Sequence, residues 1–170
     1  MIEVARPSPI IDWIAPPSDR DRIDLFLHAF LAESRRRHLS NEHLSSFYQN
    51  VSDLVLRGGK RIRPRLCLAS FRTLSGEERV PPRSVWMVAS SLEIFHAFML
   101  AHDDLIDGSL VRRDQDTLHE ALRRGHEQPE SARARKLGSD LALIGGDLLF
   151  ALGMRMISRA GITPDIATGL

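Results

Sequence analysis

Cysteine is nearly missing from this sequence of 170 residues, in which Cys67 is the only one. A single cysteine excludes an intramolecular disulfide framework and is typical of a reducing compartment, so we expect a cytoplasmic domain. Aromatic residues make up only 6% of the chain, too few to suggest the stacking platform that binds single-stranded nucleic acid. The composition therefore argues against a nucleic-acid partner.

No charge of one sign dominates, and long hydrophobic runs are also missing. The formal net charge is +1, so no global field favours nucleic acid or an anionic membrane. Asp147 and the run His102-Asp103-Asp104 interrupt the longest apolar stretches, which fall short of the roughly 20 residues that span a bilayer. Residues 1–17 contain acids and no long apolar run, unlike a secretion signal. We expect no membrane span.

The hydrophobic spacing is helical along almost the whole chain, and no segment alternates as a strand does. Four prolines predict an irregular arm over residues 1–17, and residues 18–170 are expected to form one all-α domain. Its helices are predicted to begin near Ser18, Asn41, Pro64, Pro82, Thr117 and Ala132. The last of them is expected to be mildly interrupted at Gly145-Gly146 and Gly153.

Three aspartates lie together in His102-Asp103-Asp104-x-x-Asp107, at the end of a predicted helix. On a helix, Asp103 and Asp107 share one face about 6 Å apart, with Asp104 beside them. Their repulsion and their place at the negative end of the helix dipole would destabilise the helix. A hard cation removes both penalties, and Mg²⁺ prefers oxygen ligands. The cluster predicts a Mg²⁺ site, with a solvated helix end as the alternative.

A basic run, Gly58-Gly59-Lys60-Arg61-Ile62-Arg63-Pro64-Arg65, lies where the third predicted helix begins. Its glycines let the backbone approach a ligand, and a helix N-terminus with Lys and Arg suits a diphosphate. The run is not a P-loop, because no Ser or Thr follows the lysine. The alternative is an ordinary exposed basic helix start.

Two further features lie close to the aspartates in the sequence. Arg112-Arg113 follow five residues after Asp107 and would bind a polyphosphate through bidentate forks; alone they would be surface charge. His96 lies two predicted turns before Asp103 on the same face. A lone histidine there is more often a core residue, and Glu93 could fix its orientation or tautomer.

These motifs, in this order, resemble those of the trans-isoprenyl diphosphate synthases, the polyprenyl synthetase family. The matching stretches lie between about residues 20 and 160. They are Gly58-Gly59-Lys60-Arg61-Ile62-Arg63-Pro64, Glu93-x-x-His96, His102-Asp103-Asp104-x-x-Asp107, Arg112-Arg113 with Thr117 and His119, and Gly146-Asp147. The resemblance implies an all-α bundle of the isoprenoid synthase type, of which this chain would form about the N-terminal half, assembled as a homodimer or a heteromer.

The resemblance also implies a Mg²⁺-dependent prenyltransferase. Asp103 and Asp107 would bind the metal, with Asp104 as a supporting catalytic residue. The allylic diphosphate would lose pyrophosphate to give an allylic cation. The double bond of isopentenyl diphosphate would attack that cation, and loss of a proton would leave a chain five carbons longer.

The substrate-binding residues follow from the same resemblance. Lys60, Arg63 and His96 would hold the diphosphate of isopentenyl diphosphate. Arg112 would contact the allylic diphosphate, and Arg113 the isopentenyl one.

Phe98 and Met99 lie five and four positions before Asp103, where a growing tail would meet them. In the family, an aromatic residue five positions before the first aspartate tends to stop growth at short chains. We therefore expect a C20 product, with C15 as the next choice. Plain core packing would also explain both side chains.

Two features depart from the family. Asp114 and Asp116 stand where the family usually has Gly and Pro, so either these acids turn outward or the arginine pair is less active. No second aspartate-rich motif follows Asp147, since Asp165 is a lone acid. We therefore expect a truncated chain with little or no activity alone.

Two other functions fit parts of the sequence. A non-catalytic subunit would bind a full synthase, change its product length, and expose an apolar face in isolation. A His-Asp metal phosphohydrolase would combine His102-Asp103 with upstream histidines such as His28, His38 and His43. That second function leaves the basic run unexplained.

Overall fold

Six helices follow one another along residues 18–36, 40–75 and 80–161, the part of the chain that this computed structural model describes. They are α1 (Asp19–Arg36), α2 (Glu42–Leu56), α3 (Ile62–Ser75), α4 (Arg83–Ile106), α5 (Leu118–Arg124) and α6 (Ala132–Ser158). The all-α prediction is confirmed. The predicted arm at residues 1–17, the helix end near Gly76 and the helix after Pro164 lie outside the described residues.

Helices α1 and α2 begin next to the predicted starts at Ser18 and Asn41, and a side chain caps each of them. The backbone N–H of Ser18 donates to Asp21 Oδ2 at 3.1 Å, and the N–H of Asp21 donates back to Ser18 Oγ at 3.3 Å. This reciprocal pair satisfies two donors that the first turn leaves free. Asn41 Oδ1 accepts the N–H of Leu44 at 3.0 Å and opens α2 in the same way.

The core forms where α4 and α6 run against each other, with α1, α2, α3 and α5 packed around them. Its largest fully buried apolar side chains come from all six helices: Ile23, Leu27, Leu31, Val51, Pro64, Leu68, Ile94, Leu118, Leu149 and Met156. Burial of this apolar surface is the main term that holds the helices together.

Helix α6 is continuous, so the predicted interruption at its glycines is wrong. Gly145, Gly146 and Gly153 are buried where neighbouring elements approach closely. A Cβ atom on Gly153 would lie 2.8 Å from Phe95 Cε1 on α4. These glycines allow close helix packing rather than a bend.

A short antiparallel hairpin joins α4 to α5, although no strand was predicted. Its strands are β1 (Val111–Arg112) and β2 (Gln115–Asp116). The two turn residues, Arg113 and Asp114, have φ of +53° and +61°, the geometry of a type I′ turn. Strands of two residues are too short to show an alternating pattern.

Helices α4 and α6 are each long and apolar enough, by length and composition, to cross a bilayer. The expectation of no membrane span rests on uninterrupted apolar runs, a stricter criterion than the average hydropathy of a whole helix. In the most apolar window of each helix, 50% of α4 and 39% of α6 is buried inside the protein. Core helices pass the same test, so this composition is weak evidence for a membrane span.

Candidate diphosphate and metal site

The basic loop between α2 and α3 forms one wall of a cleft of about 260 Å³. The lining residues come from the loop, from α4 and from the hairpin: Gly58, Gly59, Lys60, Arg61, Ile62, Arg63, Glu93, His96 and Arg113. Gly58 and Gly59 have φ of +84° and +145°, a region that glycine enters without steric cost. A Cβ atom on Gly59 would lie 3.5 Å from Arg113 Nη1. Cations from two separate segments therefore meet at this cleft.

His96 is partly buried in the wall of the same cleft. Burial lowers the pKa of His96, and the positive charge of Arg63 lowers it further, whereas Glu93 acts in the opposite direction. The ring is therefore neutral near pH 7. All four residues expected to hold isopentenyl diphosphate therefore line one cleft: Lys60, Arg63, His96 and Arg113.

The two adjacent arginines of the hairpin have different environments. Arg112 donates from Nε and Nη2 to Asp104 Oδ1, at 2.7 and 2.6 Å. Arg113 lies beside Gly59 in the cleft. Arg112 is thus tied to the acidic cluster and Arg113 to the basic loop.

The three aspartates also differ. Asp103 and Asp107 are exposed, whereas Asp104 is 1% exposed and its Oδ2 has no hydrogen-bond partner within the described residues. Asp107 ends α4 with helical backbone angles, φ −79° and ψ −10°, so the spacing of four residues keeps it on the face of Asp103. Asp104 is turned inward, toward Arg112.

The aspartates of this site fit Mg²⁺ bound by two protein carboxylates. Mg²⁺ is commonly held by one or two carboxylates together with substrate phosphates and waters, and Asp103 and Asp107 supply two exposed carboxylates. Within residues 18–36, 40–75 and 80–161, no three His, Cys, Asp or Glu side chains form an all-protein metal site. Asp104 is buried and accepts hydrogen bonds from Arg112, which leaves Asp103 and Asp107 as the exposed pair.

The same observation bears on the phosphohydrolase alternative. That activity needs several histidines near His102-Asp103, and the described residues contain no such metal cluster. His28 and His43 are exposed on α1 and α2, and His38 lies outside the described residues.

The two acids that depart from the family lie on the hairpin. Asp116 forms an ion pair with Arg124, at 2.9 Å between Oδ2 and Nη1, and its carbonyl oxygen accepts a hydrogen bond from Arg57. Asp114 is exposed at the tip of the turn. The charge of Asp116 is therefore offset locally by Arg124.

The residues expected to limit chain length lie further along α4, toward its N-terminus. Phe98 packs edge-on against His102, with ring centroids 5.0 Å apart, and against Phe150 of α6 at 5.4 Å. Phe95 contacts Phe150 as well, at 5.7 Å. Met99 is 46% exposed. Phe98 thus belongs to an aromatic cluster between α4 and α6, and Met99 is open to a ligand.

Sequence reasoning missed three residues of this region. Arg61 counted as one of the exposed cations, but its side chain is only 3% exposed. Arg57 lines a neighbouring pocket with Arg112 and Gln115, and that pocket shares His96 and Arg113 with the cleft. The position of Arg57 directly before the two glycines was the available signal. Phe150 had no signal, because its contact with Phe98 depends on how the two helices pack.

Comparisons with known proteins agree with these motifs. The family model described as polyprenyl synthetase matches residues 45–168. The chloroplastic geranylgeranyl pyrophosphate synthase of Capsicum annuum is 33% identical over 119 residues, which are 68% of this chain and 27% of that protein. The geranylfarnesyl diphosphate synthase of Aeropyrum pernix is 35% identical over 108 residues, 62% of this chain and 28% of that protein. The chain thus spans little more than a quarter of these curated relatives.

A solved structure supports the same fold. The geranylgeranyl pyrophosphate synthase of Corynebacterium glutamicum, complexed with isoprenyl diphosphate and magnesium, matches with a TM-score of 0.80 and 26% sequence identity. The match covers 88% of this chain and 43% of that protein.

Proposed function

The chain belongs to the polyprenyl synthetase family, and from this premise we propose that it supplies the isopentenyl diphosphate cradle and the first aspartate pair of a short-chain prenyl diphosphate synthase. One observation carries the proposal: Lys60, Arg63, His96 and Arg113 line a single cleft. Asp103 follows His96 by two turns on the same helix. A diphosphate in the cleft would therefore lie near a second, metal-bound one.

In the proposed reaction, the C–O bond of an allylic diphosphate breaks and pyrophosphate leaves with the electron pair. Asp103 and Asp107 would hold Mg²⁺, which when bound neutralises charge on the leaving group. Arg112, held by Asp104, adds a fixed positive charge for the same group. Lys60, Arg63 and His96 orient isopentenyl diphosphate, whose double bond attacks the cation before a proton is lost.

The proposed product is C20, with C15 as the next choice. Phe98 and Met99 would meet a tail that grows away from the metal, and Phe98 is supported from behind by Phe150. Relatives named for C20 and C25 products are consistent with a short chain. In an assembly that elongates, Phe98→Ala should lengthen the product by at least one isoprene unit. An unchanged product length would exclude this role.

The proposed assembly is a homodimer, and the proposed location is the cytoplasm. Several large apolar side chains of α4 and α6, apart from those expected to meet the product, are exposed: Ile106, Leu137, Leu143, Ile144 and Met154. Such a surface is better covered by another chain than by water. Light scattering behind size-exclusion chromatography should give twice the mass of the chain, and a monomer would contradict the dimer.

The first experiment is to incubate the purified chain with Mg²⁺, isopentenyl diphosphate and each allylic diphosphate, and to detect elongated products by mass spectrometry. Elongation that is lost in Asp103→Ala would establish the chemistry in this chain. Mg²⁺-dependent binding of the allylic diphosphate without product is the result expected of a catalytic fragment or of a non-catalytic subunit. Failure to bind either diphosphate would overturn the proposal.

A further inference from the structure

Arg61 is buried in the middle of the basic loop, although its neighbours Lys60 and Ile62 are exposed. Its side chain is 3% exposed, and its guanidinium reaches three other segments. Nε donates to Asp24 Oδ1 of α1 at 2.7 Å. Nη1 donates to Glu93 Oε2 of α4 and to the carbonyl oxygen of Val55 in α2, each at 3.1 Å.

These contacts neutralise the positive charge of Arg61. Two carboxylates, from Asp24 and Glu93, face one guanidinium, so its positive charge is neutralised inside the protein. Burying a charge is unfavourable unless it is paired and hydrogen-bonded, and here it is both. Arg61 is therefore not available to a phosphate in the way that the exposed Lys60 and Arg63 are.

The backbone of Arg61 is also unusual. Its φ of +48° follows those of Gly58 and Gly59, at +84° and +145°. The left-handed conformation is unfavourable for a residue with a Cβ atom. The side-chain contacts of Arg61 hold it there, and its carbonyl oxygen accepts the N–H of Arg65 at 3.1 Å in the first turn of α3. Arg61 thus ends the glycine turn and begins the helix.

Glu93 connects this loop to the histidine of the cleft. It is buried, it binds Arg61, and it lies one helical turn before His96 on α4. The ion pair therefore fixes the basic loop against the helix that carries His96. Lys60 and Arg63 flank Arg61 in the sequence, so its position determines theirs relative to the imidazole.

We propose that Arg61 is a positioning residue, which sets Lys60 and Arg63 at the correct separation from His96 through its pair with Glu93, and does not itself bind the diphosphate. This inference rests on the proposed function, because it assumes that the cleft binds a diphosphate. Arg61 would thus contact carboxylates inside the protein and not the substrate.

The test compares Arg61→Met with Arg65→Met, using pyrophosphate and isopentenyl diphosphate as probes in titration calorimetry. Arg65 lies four residues further on, is exposed, and does not line the cleft. Its Nη1 lies 3.5 Å from the carbonyl oxygen of Lys60, a long and exposed contact, so its loss removes the same charge without breaking a buried ion pair. Arg61→Met should raise the Kd of both probes by about tenfold or more, since a small displacement of binding groups is costly. Arg65→Met should stay within about twofold of wild type.

Two further variants distinguish a positioning effect from a failure to fold. Arg61→Met combined with Glu93→Gln removes the buried carboxylate that the single change leaves unpaired, and should fold while still binding weakly. Arg61→Lys keeps the charge but loses the fork, and should recover part of the affinity. Hydrogen exchange of the amides at residues 66–68, in the first turns of α3 directly after Arg61, should accelerate without ligand in every Arg61 variant and not in Arg65→Met.

The outcomes separate the two proposals. Wild-type protein that binds neither probe would overturn the proposed function and this inference with it. Wild-type binding with equal losses in Arg61→Met and Arg65→Met, and no change in exchange at residues 66–68, would overturn the positioning role alone. Mg²⁺-dependent binding of an allylic diphosphate should be little changed in Arg61→Lys, and an equal loss there would indicate general destabilisation instead.

Discussion

Gly146 of α6 meets the imidazole of His102 of α4 so closely that a Cβ atom in its place would lie 2.4 Å from Nε2. The same ring nitrogen lies 3.3 Å from the carbonyl oxygen of Leu143, and the ring packs edge-on against Phe98. The missing side chain at Gly146 lets α4 and α6 come together next to Asp103. The glycine of the Gly146-Asp147 pair therefore has a packing role in this chain.

Gly146→Ala should lower the free energy of unfolding. Overpacking a tight helix interface costs about 1–3 kcal/mol, which exceeds the roughly 0.5–1 kcal/mol gained by replacing glycine inside a helix. We expect a net loss of about 1 kcal/mol in urea unfolding. Gly125→Ala is the matched control, because its Cβ would meet nothing nearer than 3.6 Å and its φ is −72°.

A double-mutant cycle shows whether the contact with His102 is the cause. His102→Ala removes the ring that the new methyl group would meet, so Gly146→Ala should cost much less in that background. Additive effects of the two substitutions would mean that the clash is relieved elsewhere and that this contact does not set the helix spacing.

Asp103→Asn and Asp104→Asn should differ in their effect on stability. Asp103 is exposed among like charges at a helix C-terminus, so neutralising it should leave the protein equally stable or more stable by a few tenths of a kcal/mol, roughly. It should nevertheless weaken Mg²⁺-dependent diphosphate binding strongly. Asp104 is buried against Arg112, so its change should cost about 1–3 kcal/mol in stability.

Thermal unfolding and calorimetric titration with Mg²⁺ and an allylic diphosphate distinguish these effects. Asp107→Asn serves as a second exposed control and should behave as Asp103→Asn does. If Asp104→Asn left stability unchanged and abolished metal-dependent binding, Asp104 would be a ligand and not a partner for Arg112.

The helices of this fold could be predicted because their signals are local. Capping residues at Ser18 and Asn41 and the glycines before α3 determine boundaries within a few neighbouring residues. The same holds for the acidic cluster, whose spacing along one helix brings Asp103 and Asp107 together whatever the rest of the chain does.

The division of roles within each motif could not be predicted, because it depends on contacts distant in sequence. Arg61 and Arg63 look alike in the basic run, and only Asp24 and Glu93 make the first of them internal. In the sequence Asp104 cannot be told apart from Asp103 and Asp107, and only the contact with Arg112 of the hairpin distinguishes it. The hairpin itself was missed because its turn uses Arg113 and Asp114 in place of the usual Asn-Gly type of pair.

That turn gives a third prediction. Asp114 has φ of +61°, a conformation that aspartate tolerates better than most residues and glycine tolerates best. Asp114→Ala should therefore destabilise the protein by about 1 kcal/mol, whereas Asp114→Gly should leave its stability nearly unchanged. Both remove one negative charge near the cleft, so both should tighten pyrophosphate binding slightly. Equal stability of the two variants in urea unfolding would mean that the turn does not hold this φ.

The last prediction concerns the pH dependence of binding at His96. Burial and the charge of Arg63 hold the pKa of His96 below 6.5 in the free protein, with Arg113 and Arg112 adding to them and Glu93 opposing. A bound diphosphate brings negative charge to the ring and raises its pKa, because the charged form is then favoured. Binding therefore takes up a proton, and the contribution of His96 to affinity grows as the pH falls toward its pKa in the complex.

The measurement is the ratio of the isopentenyl diphosphate Kd in His96→Gln to that in wild type, since titration of the ligand itself cancels in the ratio. This ratio should rise as the pH is lowered from about 7.5 to about 5.5, the range in which histidine changes charge. Calorimetry of the wild type in two buffers of different ionisation enthalpy should report proton uptake near neutral pH. Uptake should be smaller in His96→Gln. A ratio that stays constant across this range would mean that His96 binds the diphosphate without changing its protonation.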